Sequence, residues 1–313
     1  MVVAARGAIP CPGRQADTTA PVEAGGANTS IVCDSTTYLP GALLRELDIH
    51  LVSLYVSLEG RQQAELEITD YPEFYERLRA SAEGVTTSQP SVGDFVSTYE
   101  PLLAAGGEVV SIHLSAGISG TYEAAVQARQ RLIDEDRGGE RIHVYDSRTG
   151  AGGMGLVAIA AARAAAAGGD AESVVERARA ARESFMMWFA VDTLEYLRRG
   201  GRIGAARALL GSTLKIKPIL TLDDEIKPIE RVRTRKRANE RLLDHMRERH
   251  ADGADAWVVQ HVQDPETAEQ MVEACRRVFG CDPLFVSEIG PVLGAHVGPG
   301  LIGVGGVPPS VLE

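Results

Sequence analysis

The chain is poor in aromatic residues, which make up 5% of its 313 residues against 44% hydrophobic residues in all. Any core is therefore built mainly from Ala, Val, Leu and Ile. Cysteine is scarce too. Cys11, Cys33, Cys275 and Cys281 form no CxxC pair, and no histidine cluster stands near them at metal-site spacing. That argues against a zinc site and leaves buried or idle thiols as the expectation. The longest apolar run, Met154 to Ala162, falls well short of the roughly 20 residues a membrane span requires. No continuous apolar stretch near the N-terminus reads as a secretion signal, so the expected location is the cytoplasm. Positive charge is also in deficit, with Lys plus Arg at 32, Asp plus Glu at 43 and a net charge of −11. A nucleic-acid binder needs a basic footprint that this chain lacks. GxSxG, HExxH, P-loop and kinase signatures are all missing, so nothing equips the chain to bind ATP and transfer phosphate unaided.

What is present is an alternation of short apolar runs and helical patterns. Residues 1–28, rich in Gly, Ala, Pro and Thr without periodicity, read as a tail. From there Ile31–Cys33, Val109–Leu114 and Arg141–Tyr145 read as strands, each followed by a helical segment. Such βαβ grammar predicts a parallel sheet covered by helices. Leu51–Leu58 reads as a further strand, Asp70 as the cap of a helix over Tyr71–Ala80, and Ser91 with Asp94 as a capping box. After Gly168-Gly169 the pattern changes. A strand over Phe185–Val191, a hairpin of Lys215–Leu220 and Ile226–Arg231, and strands at Trp257–Val262, Leu284–Glu288 and Leu301–Val304 are interleaved with two helices. The expectation is an α/β protein of two domains: an N-terminal parallel-sheet domain over 29–168 and a C-terminal domain with a mixed sheet over 169–313.

Four constellations could carry chemistry. Hydroxyl-rich stretches follow or precede the predicted elements at Asp34–Thr37, Thr86–Pro90 and Ser115–Thr121. Ligands of open parallel sheets bind beyond the carboxyl ends of the strands, where helix N-termini offer free N–H groups to an anion. Singly, such residues are more often helix caps. His296 lies in the glycine-rich run Gly294–Gly300, where backbone can approach a ligand closely. Gly150-Ala151-Gly152-Gly153-Met154-Gly155 spells the dinucleotide fingerprint, but four residues separate it from the preceding strand, whereas the first glycine of a true fingerprint makes the turn itself. Arg198, Arg199 and Arg202 surround Gly200-Gly201 and could meet phosphate or an acidic surface. The bland alternative is a solvated helix end. A stand-alone hydrolase using Ser115 or Ser119 with His296 is the competing enzymatic reading.

Taken together, these segments resemble the DegV family. The resemblance is carried by Val32-Cys33-Asp34-Ser35-Thr36, Thr87-Ser88-Gln89-Pro90-Ser91, Ile112-His113-Leu114-Ser115 with Ser119-Gly120-Thr121-Tyr122, Asp146-Ser147, Val191–Leu197 running into Gly200–Gly204, Lys217–Leu220, and Ile289–Val292 through His296 to Gly300. It implies a fatty acid buried between two domains as the ligand, with no other cofactor and no metal. It also implies a non-catalytic role, as the lipid-binding subunit of a bacterial fatty acid kinase. A separate ATP-binding subunit would phosphorylate the carboxylate, giving an acyl phosphate for phospholipid synthesis. By the same resemblance Thr87, Ser115 and His296 hold the carboxylate, Ser88, Ser119, Gly120 and Thr121 form the neighbouring loop, and Arg202 contacts the kinase. Cys33 stands where threonine is usual and Ala116 where a second serine is common. Burying about fourteen methylenes of a sixteen-carbon acid, at about 0.8 kcal/mol each, supplies on the order of 11 kcal/mol before ordering costs. A few uncharged donors then suffice for the head group.

Overall fold

A computed structural model describes residues 28–81, 84–210 and 216–313. The predicted tail, Asn28 excepted, and Cys11 lie outside the described residues. The first half runs β1 (Thr29–Asp34), α1 (Gly41–Glu46), β2 (Ile49–Val52), β3 (Tyr55–Leu58), β4 (Arg61–Ala64), α2 (Tyr71–Ala80), β5 (Val85–Ser88), α3 (Val92–Ala104), β6 (Glu108–His113), α4 (Thr121–Asp134), β7 (Ile142–Asp146) and α5 (Ala151–Ala166). The second runs α6 (Ala171–Ser184), β8 (Met186–Ala190), α7 (Glu195–Arg199), β9 (Lys217–Asp223), β10 (Glu225–Val232), α8 (Arg235–Ala251), β11 (Ala256–His261), α9 (Pro265–Phe279), β12 (Phe285–Glu288), α10 (Pro291–Val297) and β13 (Ile302–Val307).

The fold is α/β, with a parallel sheet N-terminally and a mixed sheet C-terminally. The parallel sheet has the order β2-β1-β6-β7. Its central strands are covered on both faces, which is why Ile31, Val32, Cys33, Val109, Val110 and Ile112 are all buried. The mixed sheet has the order β10-β9-β8-β13-β11-β12 and is antiparallel except where β11 pairs with β12. Helix α5 packs on β1 of one sheet and on β13 of the other. Its residues from Ala151 to Ala162 are all buried. A helix apolar all round is one enclosed on all sides, and only Ala-rich and Gly-rich sequence lets the neighbours come so close. Cys33 and Cys275 are free buried thiols; Cys281 is disulfide-bonded and so departs from the idle thiol expected of it.

Local chemistry sets the helix starts. Asp70 accepts from Glu73 N, Asp170 from Ser173 N, and Ser91 with Asp94 completes the capping box foreseen for α3. One reading needs correction. The run Leu51–Leu58 is two strands, not one. It breaks at Ser53-Leu54, where Leu54 N donates to Ser35 Oγ and Leu66 N donates to Ser53 Oγ. These side chains replace ladder bonds and send β3 into a separate antiparallel sheet of order β4-β3-β5. The Thr86–Pro90 segment, which precedes α3 as expected, begins in strand β5, with Thr87 opposite Val56.

Candidate ligand cavity

The site grows from helix α10. Pro291 opens it, and Val292 N donates to the Glu65 carboxylate at 2.7 Å. Glu65 is buried and also accepts from Ser35 Oγ at 2.5 Å and Tyr38 OH at 2.7 Å. Tyr38 OH in turn accepts from Leu293 N at 3.1 Å, and Tyr75 OH donates to Ile289 O and Gly290 O. Burial pushes the Glu65 carboxyl up to about 7, against the pull of its three donors. A side chain at residue 294 would collide with Tyr75, so glycine there is a packing requirement. The glycine-rich run 294–300 is in its first half helix, packed against α2.

The far end of α10 carries His296. Its Nε2 lies 2.7 Å from Thr87 Oγ1 of β5, and its buried Nδ1 has no partner. That nitrogen faces Gly200, where a Cβ would lie 2.1 Å away. Burial and the nearby Arg202 charge lower the imidazole to about 4, so it is neutral at physiological pH. Arg202 donates to Gly200 O at 2.8 Å and to Ile118 O at 3.2 Å. Ser119 and Gly120 follow at the start of α4, Ser119 Oγ lying 2.8 Å from Thr121 Oγ1. Gly120 has no room for a side chain beside Gln89, which returns to β5. Thr87, His296, Arg202, Ser119 and Gln89 thus line one cavity as a ring of polar groups, of which Thr87 and His296 are bonded to each other.

This ring opens onto a cavity of about 370 Å³, within the ~300–1,000 Å³ of small-molecule sites. Beyond the ring the walls are apolar, with Leu54, Leu114, Leu222, Ile226, Val292 and Leu301 from both halves of the chain among the lining residues. Gln260 is the polar exception, but its amide is committed to Gly152 N and Ser287 Oγ.

The sequence-predicted residues divide. Thr87 and His296 meet, and Ser88, Ser119, Gly120 and Arg202 line the same cavity. Ser115 does not line it. Its hydroxyl donates to Asp224 O at 2.6 Å, across to the β9–β10 turn, and accepts from Gly117 N. Thr121 is buried as the first residue of α4. The pairing a hydrolase would need, Ser115 or Ser119 with His296, is not made: His296 pairs with Thr87, Ser115 with Asp224, Ser119 with Thr121, and the Ser111–His113–Asp34 chain of hydrogen bonds is fully buried and does not line the cavity. The dinucleotide fingerprint is packing. Gly152, Gly153 and Gly155 back onto Gln260, Phe185 and Leu39, leaving no space for a pyrophosphate. Among the described residues no group of His, Cys, Asp and Glu is gathered to hold a metal, and no helix is long and apolar enough to cross a membrane. Gln89 and Glu65 escaped the sequence reading. Gln89 stood inside a quoted motif, whereas an acid in an exposed-looking run such as Ala64-Glu65-Leu66-Glu67 gives no signal of burial.

The fold and cavity define an α/β protein in which both halves of the chain together wall a mostly apolar chamber with a polar rim. The DegV family profile, described as an uncharacterised protein family, matches residues 28–308, and the chain belongs to that family. A DegV domain-containing protein of Streptomyces coelicolor is 40% identical over 285 residues, covering 88% of this chain and 97% of that protein. Among solved structures, one described as fatty acid binding by a DegV family protein of Thermus thermophilus superposes with a TM-score of 0.79. It is 33% identical and covers 90% of this chain and 99% of that one. A stearic acid-binding protein of Eubacterium ventriosum gives a TM-score of 0.82 at 25% identity, covering 90% and 98%.

Proposed function

We propose that this protein binds one long-chain fatty acid, tail in the cavity and carboxylate at the polar ring, and presents that carboxylate to an ATP-binding kinase subunit for acyl phosphate formation. The observation that carries the reading is the division of one cavity into an apolar body and a polar rim in which Arg202 is the one charged member. Relatives described as fatty-acid-binding support it.

The ring's chemistry suits a carboxylate that must later react. His296 is neutral, so one ring nitrogen carries the proton. The orphaned Nδ1 is best left as the bare lone pair, because a buried unpaired N–H costs more than an unused acceptor. Nε2–H then donates to Thr87 Oγ1, and the Thr87 hydroxyl proton is free to turn into the cavity. Ser119 and the N-terminus of α4 add donors and a positive dipole end without a formal charge. Arg202 is exposed at the rim. There it screens the head group from the medium and faces the docking kinase. The protein itself is non-catalytic in this scheme, needs no cofactor beyond the lipid, and works in the cytoplasm without nucleic-acid or integral membrane association.

Native mass spectrometry of the purified protein, followed by lipid extraction, tests the reading. One acyl chain per protein is expected. Protein that is empty as isolated and ignores added palmitic, stearic and oleic acids would overturn it.

A further inference from the structure

The floor of the cavity is laid by the mixed sheet, through Met187 and Phe189 of β8, Gln260 of β11 and Gly303 of β13. Gly303 sits on an interior strand, opposite Phe189 on one side and Gln260 on the other. Glycine weakens a strand interior, and it usually marks a backbone turn, a close neighbour or an approaching ligand. At Gly303 the first two reasons are missing. Its backbone is ordinary strand, and an added Cβ would meet Phe189 Cβ at 3.6 Å and Leu301 Cδ2 at 3.7 Å, which is normal van der Waals contact. Gly305, two residues on and on the same face, is the internal control. There a Cβ would lie 2.8 Å from Met186 O and 2.9 Å from Phe185. Packing dictates Gly305 and does not dictate Gly303. Gly150 shows the second case of the same kind: it lines the cavity, and its nearest would-be neighbour is Leu222 at 3.4 Å.

We infer that Gly303, seconded by Gly150, is a specificity-determining position that keeps the bore open for the tail of a long acyl chain. The inference rests on the fatty-acid reading and adds to it a chain-length rule. The floor's one polar side chain, Gln260, already accepts from Gly152 N and donates to Ser287 Oγ, and Met187, Phe189 and Gly303 around it are apolar, so what lies over the floor is hydrocarbon. A side chain at 303 would occupy that volume, and the last methylenes of a long tail would be left outside. Shorter acids, whose tails end before the floor, would lose nothing.

The test compares wild type, Gly303→Ala and Gly303→Val, each titrated with stearic acid and with lauric acid in competition with a fluorescent fatty acid. Gly303→Val adds three carbons and is expected to exclude two to three methylenes. At about 0.8 kcal/mol each, stearic acid should bind roughly 15- to 60-fold more weakly. Lauric acid should stay within about threefold of wild type. Gly303→Ala should melt at or above the wild-type temperature, which separates an open position from a packing glycine. An unchanged stearic-to-lauric ratio in Gly303→Val overturns the inference, as does a Gly303→Ala protein that melts well below wild type. If wild type binds neither acid, the fatty-acid reading itself falls. If wild type binds both and the ratio does not move, only the role of Gly303 falls.

Discussion

The two ends of helix α10 hold two buried ionisable groups, and they are treated in opposite ways. At the N-terminal end Glu65 is saturated, its carboxylate taking bonds from Ser35, Tyr38 and Val292 N. At the C-terminal end His296 has one partner, Thr87, and an orphaned nitrogen. Burial drives both towards neutrality, the acid up to about 7 and the base down to about 4. The difference teaches which is scaffold and which is site. A fully bonded buried acid has nothing left to offer a ligand, and its work is to fix the helix. An under-bonded neutral imidazole beside a hydroxyl, opening on a cavity, is poised for a partner that is not part of the chain.

The sharpest way to break the contrast is to remove the saturated end. Glu65→Ala strands the Tyr38 and Ser35 hydroxyls and the Val292 amide in a dry interior. Losing a buried, multiply bonded carboxyl should cost about 3–5 kcal/mol in denaturant unfolding. Fatty-acid binding should fall with it, because α10 carries His296. A loss below about 1 kcal/mol would mean that the anchor is dispensable.

Next in size is a pair of opposed pH dependences. The His296 imidazole takes up its proton at about 4 in the folded chain and near 6.5 when unfolded. Between those values the unfolded state binds more protons, so stability is full above about pH 6.5 and is lost as pH falls towards 4. Glu65 runs the other way. Folded, it keeps its proton up to about 7, and unfolded only to about 4.5. Its contribution is therefore present below about pH 4.5 and is lost as pH rises to 7. Each is on the order of 3 kcal/mol across its window. Denaturant unfolding from pH 4 to 8 should show His296→Gln flattening the acid limb and Glu65→Gln the limb approaching neutrality. If each substitution leaves its own limb intact, other groups govern the profile.

Thr87→Val comes third. It keeps the shape of the side chain while removing the hydroxyl that links His296 to the cavity. Head-group binding should weaken by about 1.5–3 kcal/mol, the scale of a hydrogen bond to a charged acceptor, and stability should fall by about 1–3 kcal/mol as well, because His296 Nε2–H loses its one partner. A displacement titration with a fluorescent fatty acid reads it directly.

Much of this was legible in the chain alone. The alternation of apolar runs and caps such as Asp70 and Ser91 announced the α/β order, because those signals are local. The family resemblance brought Thr87 and His296 together across more than two hundred residues, which no local pattern could do. What stayed hidden was set by long-range packing. The break at Ser53-Leu54 depends on Ser35. The burial of Glu65 depends on Tyr38 and α10. The glycines of α5 imitate a nucleotide loop because close helix–sheet packing and phosphate binding both ask for missing side chains.

Ser115 gives the smallest effect and tests that boundary most directly. Its place in a loop after a parallel strand, and the family resemblance, both make it a head-group donor. Yet a serine hydroxyl has one proton to give, and here it goes to Asp224 O at 2.6 Å. Arg148 holds the Asp224 carboxylate in the same turn, at 2.6 and 2.8 Å, so the bond pins the β9–β10 hairpin whose Leu222 and Ile226 line the cavity. Ser115→Ala should therefore cost about 1 kcal/mol of stability and leave fatty-acid affinity within about twofold. A tenfold loss of affinity at unchanged stability would mean that the hydroxyl swings from Asp224 to the carboxylate when lipid arrives, and that the hairpin is released as the ligand is held.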